Sequence, residues 1–277
     1  MKYTRAYIEI TNVCNKCCSF CHKTKRAPRL MNMEEFSLIC DKLSGVTQYL
    51  YLHVMGEPLT HPLICDFISH AKDKGFKVAI TTNGSLLERL GERIVEAGVY
   101  KVNLSLHSFE GGSAEDHRKY IESCLNFAKN ASKRGVLTVL RLWNGGVEDT
   151  LNSETLALMH EKFPDEWKFS SRGARIWDKL HLEYGERFEW PDSNAENMGD
   201  DLFCYGLSDH FGILSNGQVI PCCLDSDGAI NLGNIYTESI EDILSSPRAC
   251  AIREGFSRKK AVEDLCKRCG YARRFKI

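Results

Sequence analysis

No run in this chain is long and apolar enough to cross a membrane; the longest, Lys77–Thr82 and Val136–Trp143, are strand-length. An export signal is also missing. Met1-Lys2-Tyr3-Thr4-Arg5 leads into a short alternating segment without an apolar h-region or a small-residue cleavage site. Excess charge of one sign is equally scarce: 36 Lys plus Arg stand against 37 Asp plus Glu, a net charge of −1. That balance supplies no general electrostatic footprint for nucleic acid. Repeats and low-complexity tracts are absent from the sequence as well. These absences point to a cytoplasmic, globular chain for which membrane and nucleic acid are both unexpected partners. At 277 residues, 43% hydrophobic and 26% charged, the chain is long enough for one large core and a small appendage.

What is abundant is cysteine, with 13 residues. In a reducing compartment, that many cysteines point to metal ligation or catalysis before disulfides. Four crowd together as Cys14, Cys17, Cys18 and Cys21. Cys204, Cys222, Cys223, Cys266 and Cys269 form a C-terminal set. Cys40, Cys65, Cys124 and Cys250 stand alone and, with Cys17, read as small buried hydrophobes.

Short β-rich runs alternate with amphipathic helical stretches from Tyr7 to about Trp177. Strands are expected at Ala6–Thr11, Tyr49–Val54, Phe76–Thr81, Lys101–Leu106 and Val136–Trp143. A sixth is expected at Lys168–Ser170 or Ala174–Trp177. The helices between them include Met33–Leu43, with Phe36, Ile39, Cys40 and Leu43 on one stripe, and Pro62–Lys74, with Ile64, Phe67, Ile68 and Ala71. A third, Leu86–Ala97, is closed by Gly98. This alternation implies parallel βαβ units in an α/β fold, a partial (β/α)6 barrel with functional loops at the carboxyl ends of its strands. After the polar stretch Pro191–Asp201 the pattern changes to a hairpin, Phe211–Leu214 and Gln218–Ile220 around Asn216-Gly217, followed by short helices. The expected division is therefore 1–185 for the barrel and 186–277 for a small hairpin-plus-helix domain.

Cys14-Asn-Lys-Cys-Cys18-Ser-Phe-Cys21 contains C-x3-C-x2-C directly after the first expected strand. Three thiolates on one loop can hold three irons of a [4Fe–4S] cube and leave the fourth open. A zinc knuckle would need a fourth donor, for which Cys17 and His22 are available. At these residues the sequence resembles the radical S-adenosylmethionine superfamily, whose signature carries an aromatic before the last cysteine, here Phe20. Met55-Gly56-Glu57-Pro58 is similar to the family's Gly-Gly-Glu-Pro segment, with Met55 replacing the first glycine. Thr81-Thr82-Asn83-Gly84 matches its common T-N-G.

The resemblance implies that Cys14, Cys18 and Cys21 bind a [4Fe–4S] cluster and that Phe20, Gly56, Glu57, Asn83, Ser105 and Arg141 surround S-adenosylmethionine. Glu57 would then meet the methionyl amino group, and Arg141 the carboxylate. The residues alone leave blander readings open: a turn carboxylate for Glu57, a satisfied strand hydroxyl for Ser105, a structural ion pair for Arg141. The activity implied is reductive cleavage of S-adenosylmethionine to a 5′-deoxyadenosyl radical that abstracts a substrate hydrogen.

Cys204, Cys222, Cys266 and Cys269, in the setting of Ile213-Leu-Ser-Asn-Gly-Gln-Val-Ile-Pro-Cys222 and the C-x2-C knuckle at Cys266, resemble the SPASM/twitch extension of the same superfamily. The shortened twitch form, with one auxiliary [4Fe–4S] cluster, is the expectation, with Cys223 an alternate to Cys222. The resemblance implies a small-molecule or ribosomal-peptide substrate and a flavodoxin- or ferredoxin-type reductant. The auxiliary cluster would act as electron acceptor or substrate anchor in an oxidation or maturation reaction. No leader-peptide-binding segment is expected before the first strand. His53 and His107 are expected at strand ends facing the cavity, and Arg172, Arg175 and Asp178 at the end of the last barrel strand. The basic stretch Arg258–Lys260 and Lys267–Lys276 reads as a solvated face, with reductase docking or RNA contact as sharper options. The alternative function is a non-enzymatic zinc-binding or RNA-associated module; the catalytic acid or base is not identifiable from the sequence.

Overall fold

The computed structural model describes residues 2–147 and 151–275; Lys276, expected in the basic tail, lies outside them. From the N-terminus, β1 (Tyr3–Ile8), β2 (Thr47–Tyr51), β3 (Lys77–Thr82), β4 (Lys101–Ser105) and β5 (Leu137–Gly145) are joined through α1 (Met33–Leu43), α2 (Ile64–Asp73), α3 (Leu87–Glu96) and α4 (Ala114–Lys133). Helix α5 (Asn152–Lys162) then leads to β6 (Lys168–Ser170), β7 (Gly173–Trp177) and β8 (Leu180–Glu186). Hairpin strands β9 (His210–Ile213) and β10 (Gln218–Ile220), short β11 (Gly233–Asn234), and helices α6 (Ile240–Leu244), α7 (Pro247–Ser257) and α8 (Asp264–Lys267) complete the chain.

The helices form where the apolar period expects them. Phe36, Ile39, Cys40 and Leu43 are fully buried on α1, and Ile64, Phe67, Ile68 and Ala71 on α2. Asn32 and Glu35 make a reciprocal capping box at the start of α1, as Ser113 and Asp116 do for α4. Gly98, just past the end of α3, has a φ of 92°, the left-handed conformation that glycine adopts without penalty.

Strands β1 to β5 pair in chain order, all parallel, and β8 continues the parallel run beside β5. The sheet order is β11-β10-β9-β1-β2-β3-β4-β5-β8-β7-β6, with no pairing between its ends among the described residues, so the barrel stays open. The sixth barrel strand is thus Leu180–Glu186, and both sequence-based placements of it are corrected. Lys168–Ser170 and Gly173–Trp177 are the outer strands of an antiparallel meander. β6 is exposed along its length, whereas Leu180 and Leu182 of β8 alternate into the core. Arg172, Arg175 and Asp178 accordingly sit exposed on that meander, away from the lumen.

Strands β1 and β2 stop three residues earlier than expected, leaving Glu9–Thr11 and Leu52–Val54 as the first residues of functional loops. The C-terminal hairpin is not a separate layer. β9 pairs parallel with β1 through Arg5↔His210 to Ile8↔Ile213, so the barrel sheet runs on into the last third of the chain.

Candidate active site and metal centres

The loop from Asn12 to Leu30 carries the first cysteines and is held by the ends of the neighbouring strands. Asn15 donates to Ser85 Oγ (2.9 Å) and accepts from Asn83 Nδ2 (3.0 Å). Lys16 Nζ donates to the Ser108 carbonyl (3.2 Å) and lies 4.6 Å from the Tyr120 ring centre. Ser19 donates through N and Oγ to Glu110. Cys14 is exposed and Cys18 and Cys21 are half-buried; Cys14 feels Cys21 electrostatically, and Cys18 feels both Cys14 and Cys21. Burial raises the Cys14 thiol and, with Glu110 nearby, pushes Cys18 up to about 11. Cys17 is exposed, which corrects its reading as a buried hydrophobe; Cys40 and Cys124 are buried as expected.

The second loop packs directly on the first. Gly56 has a φ of 78°, and a Cβ there would stand 2.5 Å from the Thr11 carbonyl oxygen and 2.9 Å from that of Val13. Only glycine permits this approach. The next residue, Glu57, donates its N–H to Val13 O (2.9 Å). Its carboxylate is 2% exposed and accepts from Thr82 Oγ1 (2.7 Å), Leu59 N (3.0 Å) and Asn83 N (2.7 Å). Burial raises its pKa against the three donors that lower it. These bonds tie β2's loop to β3's end, in keeping with the turn-carboxylate reading left open for Glu57. Asn83 bridges to the cysteine loop through Asn15 and accepts from Ser85 N and Oγ.

The remaining expected residues divide. Ser105 ends β4, and its hydroxyl has no hydrogen-bond partner among the described residues. Arg141 forms the ion pair left open for it: Nε lies 3.0 Å from Glu183, with the guanidinium 4.5 Å from the Trp143 ring centre. The Phe20 carbonyl accepts from Trp190 Nε1 (3.1 Å), and its ring lies 5.1 Å from that of His107. His53 lines the central cavity and His107 a neighbouring groove with Phe20.

The C-terminal cysteines come together. Cys222 is influenced by Cys204, Cys223, Cys266 and Cys269, and Cys266 by Cys204 and Cys269. Cys223 meets the Tyr7 hydroxyl of β1, also feels Cys204 and lines the same cavity. Burial raises all five thiols, Cys204 and Cys223 to about 11. The four grouped thiols line one end of a cavity of about 320 Å³ whose other end is the barrel lumen. Thiols crowded where burial penalises their ionisation suit a cationic centre that would draw them down as thiolates. Among the described residues no three His, Cys, Asp or Glu, at either cysteine group, are drawn together closely enough to hold a single metal ion.

One residue of this site escaped the sequence reading. Glu9, fully buried just past β1, accepts from Arg26 Nη2 (2.6 Å), Met55 N (3.3 Å) and Ser215 Oγ (2.9 Å). It joins the cysteine loop, the Gly56-Glu57 loop and the β9–β10 turn. A lone acid amid the apolar residues Ile8 and Ile10 was its only signal.

Residues 8–155 match the radical SAM superfamily, and residues 204–270 match SPASM, an iron–sulfur cluster-binding domain. A probable GTP 3′,8-cyclase of Methanocaldococcus jannaschii is 33% identical over 130 residues, 45% of this chain and 44% of its own. That match thus spans less than half of the relative. A probable GTP 3′,8-cyclase of Methanococcus maripaludis is 30% identical over 270 residues, covering 82% of this chain and 87% of the relative. Among solved structures, BtrN in complex with AdoMet and 2-DOIA superposes with a TM-score of 0.61 at 18% identity, covering 97% of this chain and 94% of that one. No helix among the described residues is long and apolar enough to cross a membrane.

Proposed function

We propose, for a chain that belongs to the radical S-adenosylmethionine superfamily, that it takes a hydrogen atom from a small molecule or peptide held in its barrel lumen, in an oxidation or maturation reaction. When bound, a reduced [4Fe–4S] cluster and S-adenosylmethionine supply one-electron chemistry that reaches unactivated C–H bonds, and the protein supplies binding, orientation and exclusion of water. Cys14, Cys18 and Cys21 would hold the first cluster. Gly56, Glu57, Asn83 and Ser105 would position the cofactor at the strand ends, beside Phe20. Each Glu57 oxygen can accept twice, and among the described residues Oε2 accepts from Asn83 N alone, which leaves one acceptor position for an ammonium. The Arg141 Nη groups make no hydrogen bond among the described residues and are open to a carboxylate.

Cys204, Cys222, Cys266 and Cys269 would ligate one auxiliary cluster through every corner, acting as electron acceptor or substrate anchor. Residues 1–185 and 186–277 are then two working parts of one sheet, supplied with electrons by a flavodoxin- or ferredoxin-type protein. The observation that supports this reading best is the single cavity shared by the lumen side chains and these four thiols. The test replaces Cys14, Cys18 and Cys21 together by Ala. About half the iron should be lost and all formation of 5′-deoxyadenosine should cease; a triple variant that still forms it overturns the assignment. A second reading, cyclisation of a purine nucleotide, rests on the 82% of this chain that aligns with the M. maripaludis relative. Turnover of GTP by the anaerobic enzyme separates the two.

A further inference from the structure

We propose that the lower part of the barrel lumen, around Lys101, binds an anionic group of the substrate, a carboxylate or a phosphate. The proposal rests on the reading of the lumen as the substrate chamber. Along β4, Lys101, Asn103 and Ser105 share one face, and Lys101 and Asn103 line the cavity. Register places Lys101 across from Ala79, which pairs with Tyr51, which in turn pairs with Tyr7. Lys101 therefore lies in the layer of Tyr7, Tyr51 and Ala79, above Arg5 and beneath His53 and Asn103.

The charges in the cavity wall leave this cation over. Arg5 is paired with Asp209 at 2.8 Å, and Arg141 with Glu183 at 3.0 Å. The Asp225 carboxylate is occupied by the Ala229 and Ile230 N–H groups, each at 2.8 Å. Lys101 makes no ion pair and no hydrogen bond among the described residues; both arginines repel it, and Glu183, already paired with Arg141, attracts it from a distance. Burial, then Arg141, lowers its pKa against the pull of Glu183.

The same cavity wall also holds unpartnered polar atoms. Of the five buried side-chain nitrogen and oxygen atoms without a partner among the described residues, Arg5 Nε, His53 Nδ1, Asn103 Oδ1 and Trp143 Nε1 belong to residues lining this cavity. Arg5 Nε and Trp143 Nε1 can only donate. Native interiors seldom leave donors and a cation unpaired unless something else completes them. An anion in the lumen would supply the partner that Lys101 lacks.

The test uses the anaerobic holoprotein, titrated calorimetrically and melted with inorganic phosphate or with glutarate at constant ionic strength in chloride. Wild type should bind one of the two saturably. Lys101→Met and Lys101→Gln should weaken that binding about tenfold or more, while Lys101→Arg stays within a few-fold. Without anion, Lys101→Met should melt above wild type, because an unpaired, repelled cation has been removed; a lysine that merely props the fold would melt lower. Stronger binding of phosphate assigns a phosphorylated substrate, and stronger binding of glutarate a carboxylate-bearing one. The proposal fails if wild type binds neither, if the Met and Gln variants bind as wild type does, or if Lys101→Met melts lower. Iron content and S-adenosylmethionine binding are read on the same preparations: their absence from wild type overturns the radical enzyme reading, whereas their retention beside an anion-blind lumen overturns only this proposal.

Discussion

Replacing Glu57 by Gln is the sharpest probe of how the second loop is built. The side chain keeps its length, and Oε1 keeps both of its donors, Thr82 Oγ1 and Leu59 N. The new amide nitrogen then takes the place of Oε2 and faces the Asn83 N–H, donor against donor, at a contact now 2.7 Å long. Turning the amide over is worse, since it sets that nitrogen against the Leu59 N–H and forces the Thr82 hydroxyl to reverse. The perturbation removes one charge-assisted hydrogen bond, about 1.5–3 kcal/mol, and strands a buried backbone donor at about 1–3 kcal/mol. Against this stands relief from burying a charge, the direction shown by the raised pKa. A net loss of about 2 kcal/mol corresponds to about 4–8 °C in Tm for a chain of this size. The same substitution removes the acceptor position open to an ammonium, so affinity for S-adenosylmethionine should fall by about 10- to 150-fold. Differential scanning fluorimetry and anaerobic calorimetry measure the two effects separately. A Tm within about 1 °C of wild type would mean that Thr82, Leu59 and Asn83 do not hold the carboxylate, and the structural half of the reasoning would be refuted. Unchanged cofactor affinity alongside a lowered Tm would make Glu57 a purely structural residue.

The Cys266→Ala/Cys269→Ala variant should lose substrate turnover and the iron of the C-terminal centre yet keep cleavage of S-adenosylmethionine, as read by 5′-deoxyadenosine formation and metal analysis. Zinc as the sole metal there would contradict the electron-transfer role. Acidification should weaken the fold, because burial holds His53 down to about 3 and His107 to about 4, against an ordinary value of 6.5. Between about pH 4 and 6.5 the unfolded chain binds more protons than the folded one, so stability falls as pH drops, by up to about 1.4 kcal/mol per unit per group. His107→Gln should flatten that slope in denaturant titrations, and an unchanged slope removes His107 from the account.

Reading the chain as a sequence recovered what depends on local period and failed where distant pairing decides. The α1 and α2 stripes were legible because four apolar positions on one face leave little freedom in register. The loop cysteines, Gly56, Glu57 and Asn83 were singled out through the family resemblance, and the fold packs their loops together. The sixth barrel strand was misplaced because Lys168–Ser170, Ala174–Trp177 and Leu180–Glu186 all carry strand character. Only the Asp178-Lys179 turn, which reverses the chain, decides that Leu180–Glu186 returns parallel to β5. The cation at Lys101 gave no signal, since a lysine opening a strand ordinarily reaches solvent.

The pairing of β9 with β1 was the least accessible feature and the most consequential. It joins residues about two hundred positions apart, and nothing in either segment's own pattern names the other. Its effect is to close one wall of the lumen with the hairpin that carries Cys222, so the C-terminal thiols share a cavity with Tyr7 and His53. Glu9 then fixes the hairpin turn against both N-terminal loops through Ser215, Arg26 and Met55. Thr24 Oγ1 and Lys25 N add a second tie, to Asp227 at 2.6 and 2.9 Å. Movement of the hairpin would strip partners from a fully buried carboxylate, a cost of several kcal/mol. The distance between the two cysteine groups is therefore set by β1 and its first loop, which both groups share. A substrate between them meets walls from both parts of the chain.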